Sequence, residues 1–193
     1  MIRLIFIFFS ISLLANIIGC SPASILTSGG ATTMVLAEGD RTLGAVVDDA
    51  TIKLNLSAKF LTSEDNLFIN INSNVIEGRV LLTGVVDSQE VRINAIRKVW
   101  EINGVKEVIN EIEVGDKTSI KEYANDLWIN TQVKALAAKT IGLRALSYNF
   151  ETIRGKVYIA GITSRPEQLE KVVNNTKTIK GVKEIVNYVV VKE

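Results

Sequence analysis

Residues 78–84 read Gly-Arg-Val-Leu-Leu-Thr-Gly, and residues 155–161 read Gly-Lys-Val-Tyr-Ile-Ala-Gly. The two stretches lie 77 positions apart, and each is a short apolar run held between glycines. The pairs that open them, Glu77-Gly78 and Arg154-Gly155, predict hairpin turns that need positive φ at glycine. Carrying the same shift outward aligns 49–114 with 126–191 without a gap, and 16 of the 66 positions are identical. Clear matches are Asp49 with Asp126, Ile52 with Ile129, Ala58 with Ala135, and Gly104-Val105-Lys106-Glu107 with Gly181-Val182-Lys183-Glu184. An ungapped register of this length implies two copies of one small domain, joined by a short segment near 115–122.

Each copy reads helix, strand, strand, helix, strand. Ile52, Leu56 and Phe60, and then Ile129, Val133 and Leu136, recur at helical spacing, which predicts first helices over about 48–61 and 125–140. Asp48 or Asp49, and Asn125 or Asp126, are candidate N-caps, and Gly142 suits a left-handed stop. Leu67, Ile69 and Ile71, and then Leu146, Tyr148 and Phe150, predict the first strands, with Val80 and Leu82, and Val157 and Ile159, in the second. Asp87-x-x-Glu90 and Ser164-x-x-Glu167 read as capping boxes of the second helices, and Pro166 sits in a first turn where its missing N–H does no harm. The last strands are Glu107–Val114 and Glu184–Val191. A helix between two strands implies a right-handed crossover and parallel pairing. The expected class is α+β: two tandem αββαβ domains, over 44–115 and 122–193, each a three-stranded mixed sheet packed on two helices. Such small copies are expected to pack against each other.

Ahead of the repeats, residues 4–18 form an apolar run behind Arg3, too short for a bilayer span of about 20 residues. Ile17-Ile18-Gly19-Cys20-Ser21 resembles a bacterial lipobox, which implies removal of 1–19 and acylation of Cys20 with diacylglycerol and palmitate. The chain's only cysteine occupies that position. Several acyl chains give a stable anchor where one is marginal. Ser21, in place of aspartate, favours the outer membrane. Residues 20–43, rich in Ser, Thr, Ala and Gly, read as a flexible tether.

Composition excludes several classes. The formal net charge is +1, with 22 basic and 21 acidic residues, so a polyanion binder such as a nucleic-acid protein is not expected. The absence of histidine removes Ser-His-Asp triads, Cys-His dyads and His-ligated metals, and one cysteine removes an internal disulfide. Asp48-Asp49 is better read as helix capping than as an acid/base pair. Asn66, Asn70, Asn72 and Asn74 read as solvated edge positions rather than a sugar site. Gly78 and Gly155 sit in no GxGxxG or P-loop context. No enzyme, metal or cofactor is expected.

The α-β-β-α-β order, Gly78–Gly84, Gly155–Gly161 and the Gly-Val-Lys-Glu-Val/Ile run before each last strand resemble the BON domain. With the lipobox and two copies, the chain resembles the dual-BON, OsmY-like outer-membrane lipoproteins. Val46-Val47-Asp48-Asp49 and Asn125-Asp126-Leu127-Trp128-Ile129-Asn130-Thr131 are especially similar to that group. The resemblance implies a lipid-anchored protein facing the periplasm that binds phospholipid, supports envelope integrity and performs no catalysis.

The repeat also serves as an internal control for the two tryptophans. Trp128 is matched by Thr51, and Trp100 by Lys177, so neither position belongs to a core shared by both copies. Trp128, Thr131, Gln132, Ala135 and Lys139 form a helical face beside the core face. A Trp there suits a lipid headgroup region, with Lys134, Lys139 and Arg144 attracting anionic lipid. In the resembling lipoproteins the matched residue lies on the lipid-contacting helix. The partner expected is therefore an anionic phospholipid membrane, and the alternative is that the protein is an interaction scaffold for envelope or cell-division machinery. Ile93, Ile96 and Trp100 form a second stripe, matched by Glu170, Val173 and Lys177, and are expected to carry the contact between copies.

Overall fold

The structure, a computed structural model, describes residues 41–116 and 118–192. Cys20, the leader over 1–19 and nearly all of the tether lie outside the described residues. Element order is α1 (Leu43–Leu61), a four-residue α2 (Leu67–Asn70), β1 (Ile71–Ile76), β2 (Arg79–Val86), α3 (Gln89–Trp100) and β3 (Glu107–Val114). Copy two follows with α4 (Ile120–Ile141), a 3-10 turn (Gly142–Ser147), β4 (Tyr148–Ile153), β5 (Lys156–Thr163), α5 (Pro166–Thr176) and β6 (Glu184–Val191).

Each sheet has three strands with the hairpin strand in the middle, β1-β2-β3 and β4-β5-β6. β1 pairs antiparallel with β2, and β2 pairs parallel with β3 from Arg79 opposite Glu107 to Val86 opposite Val114. Copy two repeats this from Lys156 opposite Glu184 to Thr163 opposite Val191. The α+β class and mixed sheets expected from the repeat are borne out.

Strand alternation divides the side chains of each sheet between two cores. In copy one, Val80, Leu82 and Val86 join Ile71, Val75 and Ile112 against Ile52, Leu56 and Phe60 of α1 and Ala95 and Val99 of α3. Copy two packs Val157, Ile159, Tyr148 and Phe150 against Ile129, Val133, Ala137, Leu169 and Val172. The opposite faces meet each other: Ile76 and Leu81 of copy one bury against Tyr158, Ala160 and Ile162 of copy two, with Ile109, Val186 and Tyr188 around them. Both faces of β2 and β5 are thus covered, which is why these strands are almost continuously buried.

Polar contacts frame this junction in matched pairs. Lys192 Nζ donates to Glu77 Oε1 at 2.5 Å, and at the equivalent end Arg154 donates to Glu113 Oε2 at 3.2 Å and to the Asp116 carbonyl at 2.5 Å. Tyr188 Oη donates to Glu111, and Lys156 lies 3.5 Å from the same carboxylate and 5.4 Å from the Tyr158 ring centre. Burial, and next the Glu111 and Glu113 carboxylates, push the Tyr158 phenol well above its ordinary range. Burial and the bond to Glu111 push Tyr188 up to about 12.

The contact between copies is therefore sheet on sheet, not through Ile93, Ile96 and Trp100. Ile93 and Trp100 are each 53% exposed on the outside of α3, and Ile96 packs into the core of its own copy. The physical reason is area: two apolar sheet faces bury more surface together than one helix stripe. Trp100→Lys, which copies the matched residue of the other repeat, should shift stability by no more than about 0.5 kcal/mol in urea unfolding. A loss of several kcal/mol would put Trp100 in an interface.

Local expectations need four corrections. The first helices begin five residues early, capped by Thr42 and Ser119, so Asp49 and Asp126 lie mid-helix and are not caps. Leu67 and Ile69 belong to the short α2 and Leu146 to the 3-10 turn, so the first strands start at Ile71 and Tyr148. Ser88, not Asp87, caps α3 by accepting from Val91 N at 3.3 Å, and α5 begins at Pro166 behind Arg165. Gly142 has φ 60° but ψ −138°, a region open to glycine and outside the left-handed helical one.

Candidate functional site

α4 is the longest helix described, at 22 residues, and its start is fixed by a full capping box. Ser119 Oγ accepts from Glu122 N at 3.3 Å, while Glu122 Oε2 accepts from Ser119 N at 2.9 Å and from its hydroxyl at 2.7 Å. These bonds, with Ser119's first among the causes, hold the Glu122 carboxyl below its usual range. The inner face of α4 is Asp126, Ile129, Val133, Ala137 and Ile141, all buried.

Asp126 acts at a distance from its own helix. Its Oδ2 accepts from Arg154 N at 2.6 Å and its Oδ1 from Gly155 N at 2.8 Å, so one carboxylate holds the β4–β5 turn. Asp49 does the same for Glu77 N at 2.7 Å and Gly78 N at 2.8 Å. Both central residues of each turn have positive φ, 51° and 79° in copy one and 53° and 82° in copy two. That is the mirror-type hairpin turn that matches strand twist. A side chain at Gly78 would also bring a Cβ to 2.7 Å from the Gly104 carbonyl. The repeated Asp and Gly pairs are thus one structural clamp.

The outer face of α4 carries the residues singled out from sequence. Trp128 is 47% exposed, and Thr131, Gln132, Ala135 and Lys139 are exposed along the same side. The Thr131 hydroxyl donates to the Leu127 carbonyl at 2.8 Å, which satisfies it within the helix. Lys134 is exposed, and Arg144 stands half-buried in the turn beyond the helix. Sequence reasoning missed the preceding turns: Ile120 is 89%, Tyr123 64% and Leu127 56% exposed. Their spacing of three and then four is helical. The signal that reveals them is Ser119-x-x-Glu122, which sets the helix start a turn and a half earlier.

Beside this helix runs a groove of about 420 Å³, lined by Asn72, Ile69 and Val85 of copy one and by Tyr123, Asn130 and Glu151 of copy two. Burial holds the Glu151 carboxyl above its usual range, opposed by Lys134 and Lys53. Among the described residues no group of His, Cys, Asp and Glu side chains could hold a metal ion. Among them, too, no helix is long and apolar enough to cross a membrane.

The BON domain profile matches residues 48–116 and again 125–193, one match on each structural copy. The chain belongs to the BON domain family. Among similar proteins, an uncharacterised protein encoded in the gshII 5′ region of Anaplasma centrale is 39% identical over 147 residues, covering 76% of this chain and 96% of that one. The outer membrane lipoprotein DolP of Haemophilus influenzae is 29% identical, covering 87% and 86%. The osmotically inducible protein Y of Escherichia coli is 24% identical, covering 75% and 73%. The BON matches begin inside α1 and α4, so the exposed turn Ile120–Tyr123 precedes the second match.

Proposed function

We propose that this BON protein is a non-catalytic outer-membrane lipoprotein, anchored through Cys20 and facing the periplasm. Copy two docks on anionic phospholipid through Trp128, Thr131, Gln132, Ala135 and Lys139 and so supports envelope integrity. The observation that carries this reading is the half-exposed Trp128, set on a long helix beside exposed Leu127 and Tyr123. An indole at the headgroup level keeps its N–H wet while its ring lies among apolar groups. Lys134 and Lys139 on the last turns add attraction of about 1 kcal/mol per charge near an anionic surface. The matched helix of copy one has Thr51 in place of Trp128, its hydroxyl bonded to the Val47 carbonyl at 3.0 Å. The likeness to an outer membrane lipoprotein supports the location. A second reading, a protein-interaction scaffold for envelope or division machinery, draws on the exposed Ile93 and Trp100 of α3.

Trp128→Glu should abolish pelleting with anionic liposomes and leave the fold intact, because the side chain is outside both cores. Trp128→Thr should weaken binding, and Thr51→Glu should leave it unchanged. Binding should fall as salt rises, since exposed charges are screened within about 10 Å at 0.1 M. Liposome binding by Trp128→Glu at the wild-type level removes the lipid-docking reading.

A further inference from the structure

α1 carries a second apolar face. Leu43, Val47, Ala50, Leu54, Ser57 and Leu61 follow one another in alternating steps of four and three along the helix. That alternation is the heptad spacing of a helix that packs on another helix. The face lies on the side of α1 away from its core residues Ile52, Leu56 and Phe60. Leu43 is 50%, Val47 46%, Leu54 65% and Leu61 66% exposed, and Ala50 is exposed among them. A surface helix ordinarily keeps its charges on that side. α1 has four charged residues, Asp48, Asp49, Lys53 and Lys59, and none stands in the seam. Three of them are engaged within the copy: Asp49 holds the β1–β2 turn, Lys53 bonds Ser73, and Lys59 pairs with Glu101.

The seam is also complementary to itself. Antiparallel pairing with a second α1, centred on Ile52, sets Leu43 against Leu61, Val47 against Ser57 and Ala50 against Leu54. The inner layers match a large side chain with a small one, and leucine pairs close both ends. A two-fold interface needs this kind of match, since one patch must serve both partners. The same centre sets Lys53 against Thr51 and Lys59 against Ala45, so no like charges meet there. Copy two lacks the property. Its register puts Thr131 at the place of Leu54 and Lys134 at that of Ser57, so the same pairing of α4 would bury an ammonium. Association through this seam therefore closes at two chains. At 19 residues and about 1.5 Å per residue, α1 is about 28 Å long. Contact between two such helices covers on the order of 1,000 Å² in all, the low end for specific interfaces and the range of reversible ones.

We propose that a second copy of this chain docks on α1, the two helices antiparallel and centred on Ile52, in a reversible dimer. The inference does not rest on the lipid reading, which uses the outer face of α4 in the other copy.

The test places thiols across the seam of the full chain in whole cells, with wild type as the baseline for Cys20. Val47→Cys combined with Ser57→Cys should give a covalent dimer under a diffusible oxidant, read on a non-reducing gel. Either substitution alone should not. Each position then stands about 15 Å along the axis from its own mate, beyond the roughly 7 Å reach of a disulfide. Leu54→Asp, added to the double variant, puts a carboxylate into the central layers and should lower the covalent dimer about tenfold or more. Leu54 is outside the core, so circular dichroism should show the fold intact. Leu54→Ala should lower the dimer in the same direction by less. No link in the double variant, equal links in the single variants, or links that survive Leu54→Asp would each overturn the proposal. If the double variant stays unlinked and Leu54→Asp instead loses binding to anionic liposomes, the face is a membrane contact and the dimer is refuted.

Discussion

Asp126→Ala is expected to lose about 3–5 kcal/mol of stability in urea unfolding, because it removes both acceptors that hold the β4–β5 turn. The two bonds, at 2.6 and 2.8 Å, run from buried or half-buried backbone N–H groups to one carboxylate. Bonds to a charged acceptor are worth about 1.5–3 kcal/mol each, and the buried Gly155 N–H would be left without its acceptor. Two central residues at positive φ, one of them Arg154, also lose the group that holds them there. Asp126→Asn keeps one oxygen and should lose about half as much. Asp49→Ala is the matched experiment in copy one, where Arg41 also pairs with the carboxylate. A loss below about 1 kcal/mol for Asp126→Ala would mean that the turn holds itself.

Leu81→Asp should have a comparable or larger effect, of about 4 kcal/mol or more, and a different signature. Leu81 is 3% exposed and lies against Tyr158, Ala160 and Ile162 of the other copy, not in the core of its own. The substitution loses about 2 kcal/mol of transfer energy and leaves an uncompensated carboxylate between two sheets. Since the buried face is shared, the two copies should cease to unfold together. Differential scanning calorimetry should show the single transition broadened or split. Trp100→Lys, on the outside of α3, is the control. A sharp single transition within about 2 °C of wild type would show that the sheets do not couple the copies.

The order of elements was legible because it is local. Hydrophobic period, turn glycines and the 77-residue register all lie along the chain and repeat, so each copy checks the other. Parallel pairing of the outer strand followed from chirality. Helix starts were misread because Asp49 and Asp126 look like caps, yet their carboxylates serve turns 28 and 29 residues away. Ser119-x-x-Glu122 was there to be read and would have extended the exposed face of α4 to Ile120 and Tyr123.

By itself, the amino-acid sequence determined two αββαβ copies, their hairpins and the exposed setting of Trp128, because periodicity and composition act within a few residues. Only the tertiary structure decided which faces meet. A strand shows the same alternation whether its second face meets water, a helix or another sheet. Leu81 and Tyr158 could therefore be placed only by folding both copies together. The same holds for the groove beside α4, which residues of β1, α4 and β4 line at once.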